Sequence, residues 1–229
     1  MKRVFKYSIF MFSSVLITST FIYSQVPDSI LLRDCLMYIA THPSTPFYSE
    51  KIYESPKSSY IGHFYVLVNN NLCGSIWCEL LQYINDLEKM GYLVAVWSVS
   101  STGTPQDIRA ILQGDPLLVG ALFIGNLPVA WSTINEPEPY PLDLYYMDID
   151  GEWVWKDSLY YPDTAYYFPH IADALQNVEP EIFIGRVTCY TSDTVTTEEE
   201  VLRTRRYLER DHDFRNGELN VPLMGKALL

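Results

Sequence analysis

Residues 62 to 124 alternate short apolar runs with stretches whose apolar side chains recur every three or four residues. A short continuous apolar run is typical of a strand buried on both faces, and the longer period is typical of an amphipathic helix. Strands that alternate with helices imply right-handed crossovers and a parallel sheet. The pattern therefore predicts an α/β fold with a mainly parallel sheet. The predicted strands cover 64–69, 92–97 and 117–124.

Two helices in this region have recognisable ends. The first covers 75–90, and Gly91 follows it at the position where glycine commonly ends a helix. The second begins at Thr104, a residue type that caps helix amino termini, and Pro105 takes the first helical position.

The regular alternation stops between residues 126 and 180, a stretch rich in proline, tyrosine and aspartate. A stretch of this length inside a compact domain is usually functional or has local structure of its own. Order returns with a predicted strand over 181–186. A predicted helix follows from Thr197, because the three glutamates after it favour the positive end of a helix.

The first 24 residues have the layout of a secretory signal. Lys2, Arg3 and Lys6 form a basic start, and an apolar run interrupted only by serine and threonine leads to Ser24, near the predicted cleavage site. The alternative is an uncleaved anchor, which needs about 20 continuous apolar residues. We predict an exported protein, secreted or at the cell surface or in the periplasm, without a stable membrane anchor. The predicted divisions are 1–24 (signal peptide), 25–61 (lead segment) and 62–229 (folded unit).

The charge balance argues against nucleic acid as a partner. The chain has 28 acidic and 16 basic residues, for a formal charge of −12. Removal of the signal, with three basic residues and no acidic one, brings the charge to about −15. A chain this acidic is a poor counter-ion for phosphate. The arginines near the carboxyl end are interleaved with acids and predict a helix face with ion pairs.

An acidic segment in the irregular region is the strongest candidate for metal chemistry. Asp148, Asp150 and Asp157 supply hard oxygen ligands around a turn, close to the pattern of a calcium loop. Tyr146 stands where the first aspartate of such a loop belongs, so the match is incomplete. The segment predicts a structural Ca²⁺ site, and the alternative is a solvated acidic turn. Outlying candidates are Asp143 and Asp163.

Several segments, taken in order, resemble the gingipain family of cysteine peptidases (peptidase family C25). The most specific are 145–153, with the pattern Tyr-Tyr-x-Asp-x-Asp-Gly-x-Trp, and 180–186, Pro-Glu-Ile-Phe-Ile-Gly-Arg. The resemblance covers about residues 62 to 229. It implies a caspase-like α/β fold, a three-layer sandwich made of two subdomains, with this chain supplying the first. It also implies structural calcium.

The resemblance implies proteolysis by a cysteine thiolate and a histidine that activates it. In the family these groups belong to the second subdomain, where the histidine lies in a Gly-His-Gly segment, and this sequence contains no such segment. We therefore assign no catalytic residue and expect this chain alone to be inactive. Protein or peptide substrates would be cleaved by the full-length enzyme, together with the missing second subdomain.

The sequence leaves two functions open. The mostly apolar segment 223–229, which ends on Lys226-Ala-Leu-Leu229, suggests a chain cut within a strand, which favours the amino-terminal part of an exported peptidase; a natural edge strand is the alternative. The other function is a non-catalytic exported binding or scaffold module that keeps the α/β subdomain.

The remaining reactive residue types receive structural interpretations. We expect the four cysteines to be small buried apolar groups with at most one disulfide, and Arg186 to pair with a nearby acid. We interpret the four histidines as structural or exposed. The cysteines are Cys35, Cys73, Cys78 and Cys189, and the histidines are His42, His63, His170 and His212.

Overall fold

The described part of the chain contains two β-sheets and five helices. The computed structural model describes residues 46–56, 61–132, 140–157, 165–169, 179–189 and 197–218, with the backbone alone for 132, 154–157 and 165–169. The strands are β1 (Ser49–Glu54), β2 (Gly62–Asn69), β3 (Tyr92–Val99), β4 (Leu118–Ile124), β5 (Trp131–Ser132), β6 (Tyr140–Pro141), β7 (Trp153–Asp157), β8 (Ala165–Pro169) and β9 (Phe183–Val187). The helices are α1 (Asn70–Cys73), α2 (Trp77–Lys89), α3 (Pro105–Gln113), α4 (Leu144–Met147) and α5 (Thr197–Arg215).

The larger sheet has the strand order β1-β3-β2-β4-β9. The pairs β2–β3, β2–β4 and β4–β9 are parallel, and only the edge strand β1 runs antiparallel to its neighbour β3. The sequence prediction of a mainly parallel sheet with flanking helices is therefore confirmed, and the fold is α/β. The predicted strands 64–69, 92–97 and 117–124 agree with β2, β3 and β4 to within two residues at each end.

Successive residues of β2 belong to two different apolar cores, because side chains alternate across a strand. Leu67 packs in what we call the first core, which also receives α3 and α4. Val66 and Val68 pack in the second core, which receives α2 and α5. All three side chains are fully buried. A central strand covered on both faces is what its unbroken apolar sequence predicts.

The predicted helix ends are also observed. Thr104 accepts a hydrogen bond from the backbone N–H of Asp107, and the Asp107 carboxylate accepts one from the backbone N–H of Thr104, so α3 begins with a complete capping box. At the carboxyl end of α2, Gly91 has φ +98°. This left-handed conformation suits glycine and ends the helix where the sequence predicts.

The structure adds two features to the sequence prediction. Strand β1 lies within the 25–61 segment, where no element was predicted, and it pairs with β3. The stretch 126–180 contains a second sheet, with the order β6-β5-β8-β7, and the short helix α4. This stretch therefore has local structure of its own. Among the helices that the structure describes, none is both long and apolar enough to cross a lipid bilayer.

Helix α5 is joined to α2 through a buried carboxylate. Asp86 is 4% exposed; its Oδ2 lies 2.6 Å from Nδ1 of His212, and its Oδ1 accepts a hydrogen bond from Lys89 Nζ at 3.1 Å. Burial by itself raises the pKa of Asp86, but the hydrogen bonds from His212 and Lys89 outweigh burial and hold that pKa below its ordinary value.

We expect Asp86→Ala to lower the free energy of unfolding by about 2 kcal/mol, because it removes a charged acceptor for two donors. A carboxyl group whose pKa is lowered by folding stabilises the protein above its ordinary pKa of 3.8, and this contribution is lost as the pH falls through the lowered value. Urea unfolding at several pH values should show the full difference from wild type above pH 4 and a smaller difference in stronger acid. Glu209→Gln, at an exposed position of α5, is the control. Equal stability of Asp86→Ala and wild type at pH 7 would contradict this role.

Candidate metal centre

The turn that follows α4 carries a buried aspartate. We call residues 148–153 the acidic turn. The backbone N–H of Asp148 donates to the Leu144 carbonyl at 2.9 Å and continues the last turn of α4. The Asp148 side chain is 1% exposed, and its Oδ2 accepts a hydrogen bond from the Trp153 indole at 3.0 Å. Its Oδ1 is fully buried and has no hydrogen-bond donor among the described residues. A buried carboxylate oxygen without a donor is costly unless a cation supplies the missing interaction.

Three carboxylates converge at this turn. Oxygen atoms of Asp148, Asp150 and Glu181 all lie within 4.8 Å of one another. We call these residues the acidic cluster. Asp150 and Glu181 are exposed, so the cluster is accessible to solvent through these two members. The cluster can bind a metal ion, because carboxylate oxygens are the ligands that hard divalent cations prefer.

Glu181 joins the cluster because backbone contacts bring its segment to the acidic turn. The N–H groups of Glu181 and Ile182 donate to the Met147 carbonyl at 3.0 and 3.3 Å, and Glu181 Oε2 accepts from the Ile149 N–H at 2.7 Å. These contacts also explain why β9 begins at Phe183 rather than at the predicted residue 181. The backbone N–H groups of residues 181 and 182 bond to Met147, the last residue of α4, instead of to β4.

The sequence-predicted ligands have different outcomes. The structure brings Asp148 and Asp150 together in the acidic cluster. Asp157 lies at the end of β7 opposite Ala165, and its side chain is outside the described part of the structure. Glu181 was not among the predicted ligands. The sequence feature that could have identified Glu181 is its position in the 180–186 segment, just before β9, which joins the larger sheet beside β4.

The outlying candidate Asp143 has another partner. Its Oδ1 and Oδ2 accept hydrogen bonds from Arg186 Nη2 and Nε at 2.7 and 3.3 Å, and the Arg186 guanidinium lies over the Phe123 ring at 5.0 Å. The predicted ion pair of Arg186 with a nearby acid is therefore confirmed. Asp163 lies outside the described residues.

The charge of the Asp148 carboxylate is only partly compensated in the folded protein. Burial raises the pKa of Asp148, and the negative charge of Glu181 raises it further. The hydrogen bonds from Trp153 and the Gly151 backbone and the positive charge of Arg109 lower this pKa, but burial and Glu181 outweigh them. The ionised form of Asp148 is thus destabilised in the folded protein. A cation among the three carboxylates would remove this cost.

Two side chains of α3 donate hydrogen bonds to the backbone of the acidic turn. Arg109 Nη2 donates to the carbonyls of Asp148, Ile149 and Gly151 at 2.6, 3.3 and 2.8 Å. Gln113 donates to the carbonyl of Ile149 at 2.9 Å. Because a rigid helix supplies both donors, the backbone of the turn is fixed independently of any bound ion.

Gly151 is required by the position of the Asp148 carboxylate. A Cβ at residue 151 would overlap both oxygens and the carboxyl carbon of Asp148. We expect Gly151→Ala to displace this carboxylate, to cost about 1–3 kcal/mol of stability and to weaken cation binding. Gly74→Ala is the matched control, since Gly74 has helical backbone angles and open space around its Cβ position. Thermal unfolding of both variants checks the expectation; equal stability of the two variants contradicts it.

The described histidines contact carboxylates, and the described cysteines form no disulfide. His63 Nδ1 lies 2.5 Å from Oδ2 of Asp115, which also accepts a hydrogen bond from the Tyr65 hydroxyl, and His212 contacts Asp86. Cys73, Cys78 and Cys189 are free thiols. The expectation of buried cysteines holds for Cys73 but is wrong for Cys78, which is exposed on α2, and Cys189 is only partly buried. The other members of both sets, His42, His170 and Cys35, lie outside the described residues.

The fold and the acidic cluster together define an α/β protein with a candidate metal centre beside the amino end of β9. Comparison of the chain with protein-family models, with curated proteins and with solved structures finds no match. Function is therefore argued from the residues themselves.

Proposed function

We propose that the acidic cluster binds one structural Ca²⁺ ion and that the chain is the first subdomain of an exported gingipain-like cysteine endopeptidase. The observation that carries the metal proposal is Asp148 Oδ1, a fully buried oxygen without a described donor that belongs to a group of three carboxylates. The Trp153 indole donates a hydrogen bond to the other oxygen of Asp148, and this one is left for a ligand.

Charge and chemistry support calcium as the ion. The three carboxylates and the Arg109 guanidinium together carry a charge of about −2 near pH 7, which one divalent cation neutralises. Ca²⁺ takes six to eight oxygen ligands in flexible geometry, whereas Mg²⁺ demands a near-octahedral shell and retains several waters. The exposed Asp150 and Glu181 leave room for water to complete a calcium shell.

Isothermal titration of metal-free protein with CaCl₂ tests the metal proposal. We expect one ion per chain, a weaker response to MgCl₂, and loss of binding in Asp148→Asn and Glu181→Gln. Glu179→Gln, an exposed carboxylate two residues from the cluster, should bind as wild type does. Absence of calcium heat in wild type, together with a negative equilibrium-dialysis result, would falsify this part of the proposal.

Two observations support the peptidase part of the proposal. The two segments that most resemble the gingipain family, 145–153 and 180–186, meet in space: the first provides Asp148 and Asp150, and the second provides Glu181. In addition, the parallel strands carry helices in two separate cores, which fits a caspase-like three-layer sandwich. Neither observation concerns catalysis, so the peptidase assignment rests on the resemblance.

The coding DNA after codon 229 provides the sharpest test of the peptidase proposal. We expect the frame to continue through a Gly-His-Gly segment and a later cysteine, and the complete product to cleave peptides in a manner blocked by thiol-directed inhibitors. Residues 25–229 alone should cleave none. A stop codon without these segments, or inhibitor-sensitive cleavage by residues 25–229, contradicts the proposal. The stop codon would favour the non-catalytic exported module instead.

A further inference from the structure

Arg109 contacts the acidic turn in a way that bears on the cation site. Its Nη2 lies within hydrogen-bond distance of three backbone carbonyls of the turn, those of residues 148, 149 and 151. Backbone carbonyls are common calcium ligands in loops of this kind. Here these three oxygens accept hydrogen bonds from a guanidinium instead.

We infer that Arg109 is a positioning residue of the cation site: it binds the carbonyls of the acidic turn and thereby leaves the carboxylates of the cluster to bind the ion. The inference rests on the proposed calcium site. It adds that the protein ligands are carboxylates and that the Arg109 guanidinium on α3 sets the conformation of the turn.

The surroundings of Arg109 favour a fixed guanidinium. Its Cζ lies 5.1 Å from the centre of the Tyr145 ring, and Tyr145 is buried in the first core. The Tyr145 ring packs edge to face on Trp153 at 5.4 Å, and the Trp153 indole donates to Asp148. A continuous set of contacts therefore leads from Arg109 to the buried ligand. A lysine has no planar group to lie on Tyr145 and concentrates its charge at one point.

Arg109 could affect the ion through its positive charge or by positioning the turn, and the two roles predict opposite effects of Arg109→Gln on cation binding. If Arg109 acted only through its charge, Arg109→Gln would strengthen cation binding, because a positive charge near the ion is removed. If Arg109 positions the turn, the same change weakens binding, since the carbonyls lose their donors and the carboxylates lose their arrangement. Groups that orient metal ligands contribute about 10- to 100-fold to metal affinity.

Terbium luminescence provides a readout tied to this site. Tb³⁺ replaces Ca²⁺ at oxygen sites and emits when a nearby indole is excited, and Trp153 Nε1 lies 3.0 Å from the Asp148 carboxylate. We would titrate wild type, Arg109→Gln and Arg109→Lys with Tb³⁺ under indole excitation and then displace the ion with Ca²⁺. Arg205→Gln is the matched control, because Arg205 also donates to a backbone carbonyl, that of Ser75, in a different part of the fold.

The expected result is a dissociation constant raised about 10- to 100-fold in both Arg109 variants and unchanged in Arg205→Gln. Unchanged or tighter binding by Arg109→Gln would overturn the inference while leaving the calcium proposal intact. Failure of wild type to bind either ion would overturn both. If the Arg109 variants do not fold, Gln113→Ala tests the same inference. Its loss of one exposed hydrogen bond to the Ile149 carbonyl should weaken cation binding about 2- to 10-fold. An unchanged constant in that variant would count against the inference.

Discussion

Calcium is expected to raise the unfolding temperature of the protein by about 5–10 °C relative to the same protein in a chelator. An ion present at a hundredfold excess over its dissociation constant stabilises the folded state by about 2.7 kcal/mol. For a domain of this size each kcal/mol corresponds to roughly 2–4 °C. Differential scanning calorimetry in CaCl₂ and in EGTA measures the difference directly.

Asp148→Asn is expected to abolish this calcium effect, because it removes the buried charged ligand. In EGTA, the same variant should be at least as stable as wild type. The amide group can donate to the neighbouring carboxylates, and the buried, unneutralised charge of Asp148 is gone. A variant that has lost only a calcium ligand is less stable than wild type in CaCl₂ but not in EGTA. A variant whose fold is damaged is less stable than wild type in both. Identical wild-type transitions in CaCl₂ and EGTA, or a calcium effect that persists in Asp148→Asn, would contradict the expectation.

Truncation of Tyr146 is expected to have the largest effect on stability. Tyr146 is 0% exposed, and its ring packs edge to face on Phe123 at 5.3 Å. Its hydroxyl donates to the Pro128 carbonyl at 2.7 Å. Replacing a buried aromatic residue by alanine costs about 3–5 kcal/mol, so Tyr146→Ala should lose much of the stability of the domain.

One further variant separates the hydrogen bond of Tyr146 from the packing of its ring, and a second variant is a control. Tyr146→Phe keeps the ring and loses one hydrogen bond, for which we expect about 1 kcal/mol. Tyr207→Ala serves as the control, because that ring is 48% exposed on α5, and its effect should stay within about 0.5 kcal/mol. Urea unfolding of all three variants gives the comparison. A loss below 1 kcal/mol in Tyr146→Ala would show that the first core does not depend on this ring.

Tyr146 also explains the incomplete calcium-loop pattern. In the sequence it occupies the position of a first ligand, which weakened the match. In the structure its ring belongs to the first core, and Glu181, from a distant part of the chain, is the third carboxylate of the acidic cluster. The proposed site is therefore assembled from two segments rather than from one continuous loop.

The elements that the sequence predicted correctly are those whose signals are local. Unbroken apolar runs marked β2, β3 and β4, and Thr104 with Pro105 marked the start of α3. Strand β1 escaped prediction because its sequence, Ser-Glu-Lys-Ile-Tyr-Glu, is mostly polar and its residues are largely exposed. An edge strand of this kind is defined by its pairing with β3, which lies more than forty residues away in the chain.

The sequence by itself determined the strand and helix alternation, the parallel sheet and two members of the acidic cluster, because hydrophobic period, capping residues and closely spaced carboxylates act over a few residues. Only the tertiary structure decided that Asp148 is buried, that Glu181 completes the cluster and that Asp143 pairs with Arg186. These contacts depend on β9 lying beside β4, which brings residues 181–186 against the acidic turn and α4. Spacing along the chain does not encode that proximity, since the packing of the whole sheet produces it.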